Sequence, residues 1–425
     1  MHAPEIKGWC PGAFAPMQSN DGLLMRAKLV GSRLTSAQLA AIVAISEDCG
    51  NGLVDLSQRA QLQLRGVTAQ TLPDALRRLD AAGLLPRDAE AERVTNIIAS
   101  PLAGLEPAAA VDANALAREL AEALQADVAL RALPAKFLFA IDDGGALPLG
   151  DVEADIRIDA AGESVAVRVA GGAGVILTRA AEAVSTVLKL ARAFVALRDG
   201  AFDQRRMRRL VAAVGRDRLL RQAGLVASDA APRAETRARL FLGARQAGEI
   251  FFAGVAAPSG RWRGAELVRL AALAQSHGLS ELRVTPWRAF LLPAATLTAA
   301  REMTNAARAL GLIVSHDDPR RAVVACPGAP ECPQAQGETR PHLARLAPLA
   351  QKLAGEDGVG LHLSGCAKGC ARPGSAAVTL IAHDGLYDLV DNGRAGDAPQ
   401  LTRLSLDAVE SALALRVKGK LCPTP

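Results

Sequence analysis

Cys326-Pro327-Gly328-Ala329-Pro330-Glu331-Cys332 is joined, across 33 intervening residues, to Cys366-Ala367-Lys368-Gly369-Cys370. This C-x5-C then C-x3-C pattern predicts a 4Fe-4S cluster, because four irons each need one outside ligand and soft thiolates suit iron better than nitrogen or oxygen does. Gly and Pro crowd both loops, which lets backbone approach a cluster and aim N–H groups at its sulfurs. A structural zinc site fits less well, since zinc pairs keep C-x2 to C-x4 spacing. A disulfide framework would need an oxidising compartment, and Met1 to Met17 has no apolar leader core. Cys10, Cys49 and Cys422 are scattered without ligand spacing and read as buried or incidental thiols, although Cys10 lies in a turn-rich segment that could cross an active site.

Working outward, 425 residues at ~150 per domain imply about three units. Half the residues are hydrophobic but only 3% are aromatic, so the core is expected to be aliphatic. No stretch approaches the ~18 apolar residues of a membrane span, which points to the cytoplasm. A net charge of +5 without a basic block interleaved with aromatics argues against nucleic acid. Only eight of the 49 basic residues are lysine. Arginine grips carboxylates bidentately, although a GC-rich coding bias would produce the same ratio, so position has to decide.

An ungapped offset of 228 places Ser36 on Gly264 and carries Leu39, Ile42, Ile45 and Gly50 onto Leu267, Leu270, Leu273 and Gly278. A helix ending at a glycine suited to a left-handed cap, then a strand (Leu53 to Val67; Glu281 to Leu292), therefore occurs twice. The separation is too long for a solenoid and suggests two half-domains related by a pseudo-twofold axis. Mixed segments follow each half, which gives 1–92, 93–230, 231–316 and 317–425. The second of these is expected to carry a helix near Asn114 to Leu124, strands near Lys136, Asp155 and Ser164, and basic helices over Arg179 to Leu197 and Asp203 to Gln222.

In Arg59-Ala60-Gln61-Leu62-Gln63-Leu64-Arg65, strand alternation puts Arg59, Gln61, Gln63 and Arg65 on one side and Leu62 and Leu64 on the other. In the second copy Arg283, Thr285 and Trp287 share a face, with Arg288 beside them. Two such strands and Lys136 would form a basic saddle for a large ligand bearing many carboxylates.

With the cysteine motif, the duplication and this saddle together, the chain resembles the nitrite/sulfite reductase family. The resemblance covers nearly the whole chain and implies an α+β fold: two ferredoxin-like half-domains plus two mixed domains, one holding the 4Fe-4S cluster through Cys326, Cys332, Cys366 and Cys370. In that family the last cysteine also bridges to siroheme. Here the family's Arg-Asn pair reads Thr95-Asn96 and its Lys-Phe-Lys reads Lys136-Phe137-Leu138, leaving Asn96 and Lys136 as tetrapyrrole contacts. Losing two cations at about 1.5–3 kcal/mol each would weaken capture of a small dianion.

The wording of Asp21-Gly22-Leu23-Leu24, Asn96 to Gly104 and Gly365 to Cys370 is similar to a narrower, cobalamin-biosynthetic branch of the family. That resemblance implies an O2-dependent monooxygenase acting on precorrin-3A, in which the tetrapyrrole is substrate and siroheme is not expected. It also implies an external electron donor, NAD(P)H through a reductase or ferredoxin, and a mononuclear non-haem iron. His362 and His383-Asp384 are the nearest approach to ligands for that iron, which stay unassigned. A siroheme-dependent reductase and a non-catalytic electron carrier are the alternatives.

Overall fold

The computed structural model describes residues 10–106, 109–201, 203–228 and 240–421. His2, Cys422 and most of the expected connection from Ala227 to Glu235 lie outside the described residues. The first half-domain runs β1 (Met17–Ser19), β2 (Gly22–Ala27), β3 (Arg33–Thr35), α1 (Ser36–Cys49), β4 (Leu53–Leu56), β5 (Leu62–Val67) and α2 (Leu72–Ala81). The mixed segment after it holds α3 (Ala89–Val94), β6 (Ile97–Ala99), α4 (Ala113–Ala126), β7 (Phe139–Asp142), β8 (Ile156–Ala161), β9 (Ser164–Val169), β10 (Ile176–Arg179), α5 (Ala183–Arg198), α6 (Met207–Val214) and α7 (Arg216–Ala223).

The second half-domain holds β11 (Gly243–Ala247), β12 (Ile250–Ala256), β13 (Arg261–Arg263), α8 (Gly264–Ser276), β14 (Glu281–Val284), β15 (Ala289–Ala294) and α9 (Leu297–Ala309). Then come β16 (Val323–Ala325), α10 (Leu343–Leu353), β17 (Leu361–Ser364), β18 (Ala376–His383), β19 (Leu386–Gly393), β20 (Leu401–Leu404) and α11 (Leu406–Leu421). The offset of 228 maps the first residues of β3, α1 and β4 onto those of β13, α8 and β14.

The halves are interlocked. Their sheets run β1-β2-β5-β4-β13 and β11-β12-β15-β14-β3, so each half lends one short strand to the other's sheet. Val54, Leu64, Trp262, Leu282 and Phe290 consequently share a single core drawn from both halves. Burying apolar side chains on that scale, at roughly 25 cal/mol per Å² of area, opposes separation of the halves.

The two mixed segments are also copies of each other. Sheet β6-β7-β8-β9-β10 has two parallel pairings followed by two antiparallel ones, and sheet β16-β17-β18-β19-β20 repeats that order. Each keeps its own aliphatic core.

Local chemistry explains three departures from the sequence reading. Each single strand expected after α1 and α8 is a hairpin, because Ala60 and Arg288, equivalent by the repeat, take left-handed backbone at φ 52° and 59° and turn the chain. Gly50 is not a left-handed cap: its φ is −123°, and glycine is needed because a Cβ there would lie 2.3 Å from the Arg65 carbonyl oxygen. The other end of α1 is fixed by a capping box, Thr35 Oγ1 accepting from the Gln38 amide while the Gln38 side chain accepts from the Thr35 amide, both at 3.1 Å. The helix expected over Asp203 to Gln222 is two helices broken at Gly215, φ 82°.

Candidate functional site

The four cysteines lie on two loops at the C-terminal ends of the parallel strands β16 and β17. The Gly365 amide donates to Cys326 Sγ at 3.1 Å, as the Gly-rich wording predicts. A Cβ on Gly365 would sit 2.8 Å from Ala335 Cβ and 3.1 Å from Gly328 Cα, so only glycine lets the loops meet. Burial pushes the Cys326 thiol up, and the amides of Gly365 and Gly328 pull it down. The other three thiols are near enough to influence Cys370 electrostatically. Four thiols within electrostatic reach of Cys370's surroundings, with backbone N–H donors on Cys326, fit an iron-sulfur cluster.

The first copy shows what the same cradle looks like without ligands. There the Asp143 amide donates to Ser100 Oγ at 3.0 Å, at the ends of β7 and β6. Ser100 thus takes the place of Cys326, and Asp143 that of Gly365.

The basic surface is one face of the sheet β1-β2-β5-β4-β13. Arg26, Gln63, Asp55 and Arg261 stand directly opposite one another across four strands, and directly opposed residues share a face. The next row, Met25, Leu64, Val54 and Trp262, faces the core.

At one end of the polar row Lys28 is buried, donating to Asn96 Oδ1 at 2.8 Å and the Thr95 carbonyl at 3.3 Å. Burial, reinforced by Arg26 and then Arg59 against Glu92 and Cys10, lowers Lys28 to about 7. Arg26 Nε and Arg59 Nη1 are buried without partners, although Arg59 Nη2 donates to the Lys136 carbonyl at 3.1 Å. Buried donors left unpaired cost about 1–3 kcal/mol each. Cys10 interacts with Arg26 and Arg59, which places this cysteine in the site.

The row's other end reaches the cluster loop. Arg261 pairs with Asp55 at 2.9 Å and with Glu331, next to Cys332, at 2.5 Å; Arg340 pairs with Asp55 at 3.1 Å. Burial opposes ionisation of Asp55, but Arg340, Arg261 and Arg65 outweigh it and hold the carboxyl at about 2. The β1–β2 turn clamps the same loop, Ser19 Oγ donating to the Glu331 carbonyl at 2.5 Å and Asn20 Nδ2 to the Pro330 carbonyl at 3.0 Å.

The expected site residues therefore divide. Arg59, half-buried Gln63 and exposed Lys136 lie around the cation group, Asn96 touches Lys28, and half-buried Arg288 stands beside Arg340 and Asp55. Arg65 is a structural ion: it is buried and pairs with Asp21 at 2.8 Å and Asp55 at 3.6 Å. Gln61 is spent on the Leu29 backbone, accepting at 2.8 Å and donating at 2.9 Å. Arg283 is buried on the second sheet, donating to the Ala103 carbonyl at 2.7 Å and paired with Glu281 at 2.6 Å.

Among the described residues no second basic face mirrors the first. Trp287, equivalent to Arg59, stacks on Phe241 with centroids 4.9 Å apart, and Leu102, Leu147, Phe252 and Leu291 fill that side. Missed from sequence were Arg26, Lys28, Asp55 and Arg261, although Arg26-Ala27-Lys28 and Arg261-Trp262-Arg263 both alternate. Cys49 Sγ lies 3.6 Å from Asp74, away from the basic group. His383 lies 3.5 Å from Asp384 and 3.9 Å from Asp388, whereas His362 is fully buried behind the cysteine loop. Among the described residues no three His, Cys, Asp or Glu side chains converge as a single ion requires.

Comparison with known proteins agrees with this architecture. The nitrite/sulfite reductase ferredoxin-like half domain matches residues 15–82 and 243–310. The nitrite and sulphite reductase 4Fe-4S domain matches 90–229, the copy without cysteines. The chain belongs to the nitrite/sulfite reductase family, and its fold is α+β of that type. Within it, the chain is 31% identical to a precorrin-3B synthase of Sinorhizobium sp over 408 residues, covering 92% of this chain and 84% of that one. It is 28% identical to the ferredoxin–nitrite reductase of Synechococcus elongatus, over 84% of this chain and 76% of that one. The solved Mycobacterium tuberculosis NirA protein shares the fold, with a TM-score of 0.71 at 21% identity over 93% of this chain and 81% of that one.

Proposed function

We propose that the chain converts precorrin-3A to precorrin-3B in aerobic cobalamin biosynthesis. One oxygen atom of O2 is inserted at C20, a γ-lactone closes from the ring A acetate, and the second oxygen leaves as water with two electrons and two protons from an external donor. The observation that carries this reading is the one-sided polar row, which leads from partly unpaired cations at Arg26 and Arg59 to the cluster loop at Glu331. A carboxylate-rich tetrapyrrole would satisfy those guanidiniums bidentately.

The positions where relatives gripping small anions carry cations support it. Thr95 Oγ1 donates to the Ala91 carbonyl at 2.9 Å, and Leu138 packs with Ile98 and Leu149. Neither offers charge to a small dianion. In this reading Arg59, Lys136 and Arg288 bind carboxylates, Lys28 and Asn96 orient the ring edge, and the cluster supplies electrons singly when bound. A mononuclear iron for O2 activation belongs to the same proposal, with its ligands unassigned.

A siroheme-dependent nitrite or sulfite reductase is the second reading, favoured by the nitrite reductase relatives and the NirA-like fold. The absorption spectrum and metal content of the purified protein decide between them. Iron beyond the ~4 per chain of one cubane, without siroheme, together with aerobic turnover of precorrin-3A in the presence of a reductant, supports the synthase. Tightly bound siroheme sinks it. A chain that neither binds nor turns over precorrin-3A is instead an electron carrier.

A further inference from the structure

His362 is a buried polar group that nothing above employs. It lies on β17, four residues before Cys366. Its neighbours Leu361 and Leu363 point into the core, so alternation turns His362 to the opposite face, beneath the loop that carries Cys366 and Cys370. Its Cε1 lies 3.6 Å from the point where a Cβ on Gly369 would sit.

The ring is fully buried and neither nitrogen has a partner. Burial, with Arg372 adding to it, lowers the histidine to about 4, so the ring is neutral and carries one N–H donor. The polar side chains around it are already committed. Thr379, directly opposite on β18, donates to the Gly393 carbonyl at 2.7 Å. Ser364 donates to the Cys366 carbonyl at 2.7 Å, and Arg372 is spent on the Ser375 carbonyl and Asp357. Val324, opposite on β16, offers nothing polar. Buried N–H groups in native proteins almost always have acceptors. The Arg372 carbonyl lies on the same side of Gly369, yet neither it nor a cysteine sulfur is within hydrogen-bond reach of the ring, so the acceptor that this loop would bring here is the sulfur of a bound cluster.

We propose that His362 is a positioning residue for the iron-sulfur centre, its ring N–H donating a hydrogen bond to sulfur held by the Cys366–Cys370 loop. The inference rests on the cluster reading of the four cysteines. Hydrogen bonds to cluster sulfurs raise the reduction potential by stabilising the more negative, reduced state. His362 thereby helps to set the potential at which electrons pass to the neighbouring site.

The test uses the full chain after anaerobic reconstitution. Iron and sulfide content reports on the cluster itself; a wild-type chain that takes up neither refutes the cluster and this proposal together, whereas the remaining outcomes concern His362 alone. Pulsed EPR of the reduced wild type labelled with 15N-histidine should show a histidine nitrogen coupling and an exchangeable proton. Both should vanish in His362→Leu, and the midpoint potential should move negative. His362→Gln, which keeps an N–H donor, should move it back towards wild type. Cluster-loaded His362→Leu with an unchanged potential, or a wild type without the 15N coupling, overturns the proposal and leaves a buried water as the ring's partner. Should His362→Leu fail to hold a cluster, the labelled wild type still decides.

Discussion

Lys28 gives the sharpest test of the basic site. An ordinary lysine in the unfolded chain titrates at 10.5, but here burial, with Arg26 and Arg59 adding repulsion, lowers it to about 7. Keeping that charge in place costs on the order of 4–5 kcal/mol relative to water. A carboxylate arriving beside it restores the counter-charge, so binding takes up a proton. Below pH 7 Lys28 is already charged and affinity is indifferent to pH. Above pH 7 wild-type affinity should fall by up to tenfold, about 1.36 kcal/mol, per pH unit until the lysine's value in the complex is passed. If that value is near ~9, the loss between pH 7 and 9 is about 25-fold, because the lysine is half-titrated at each end of the window.

Lys28→Met should bind more weakly at pH 7 and lose the slope. Its charged and titratable neighbours are Arg26, Arg59, Glu92 and Cys10, so Cys10→Ser separates the lysine from the thiol. The assay is titration with a carboxylate-rich porphyrin, read by absorbance, at several pH values. A flat wild-type profile, or a slope that survives in Lys28→Met, refutes the reasoning. Stability should move the opposite way. The unfolded lysine holds its proton up to 10.5 and the folded one releases it near 7, so wild-type stability rises over that window. Lys28→Met should therefore melt higher than wild type at pH 7.

Arg59→Ala should weaken porphyrin binding by about 1.5–3 kcal/mol while leaving cluster absorbance intact; unchanged affinity would place the ligand elsewhere. Arg65→Ala should instead lower the melting temperature, because it takes the ion pair from half-buried Asp21 and one of three arginines from buried Asp55, at a cost of about 1–3 kcal/mol. Cys332→Ser should bleach the broad visible absorption of the reconstituted protein, and full retention would remove Cys332 from the ligand set. Asp55 is held at about 2 against an ordinary 3.8, so its contribution is complete above pH 3.8 and is lost as pH falls towards 2. Acid unfolding of Asp55→Asn should lack that component.

Much of this was legible in the sequence because it depends on local spacing. Two cysteine pairs stand out as a motif whatever surrounds them, and a repeat of helical periodicity survives divergence. The strand exchange was not legible, since β3 and β13 are three residues each and find partners in the opposite half of the chain. Alternation correctly put Gln63 and Arg65 on the face opposite Leu62 and Leu64. It could not tell that Arg65 would be neutralised by Asp21 and Asp55, because counterions come from other strands. The left-handed turn at Ala60 likewise took Arg59 off the strand, a backbone choice that alanine does not advertise.

The duplication places two equivalent clefts in the fold, and only one carries the four cysteines. A cluster needs its two loops in contact, which requires a residue without a Cβ at position 365, and the first copy places Asp143 there. That aspartate is buried with Oδ2 unpartnered, and burial raises its carboxyl, so the cradle has become a protonatable carboxyl group with no ligand set. Across the axis an indole at 287 stands where 59 is a guanidinium, and its stacking on Phe241 makes that side apolar. Because β3 and β13 tie both halves into one core, each half supports the packing of the other whatever its own cleft holds.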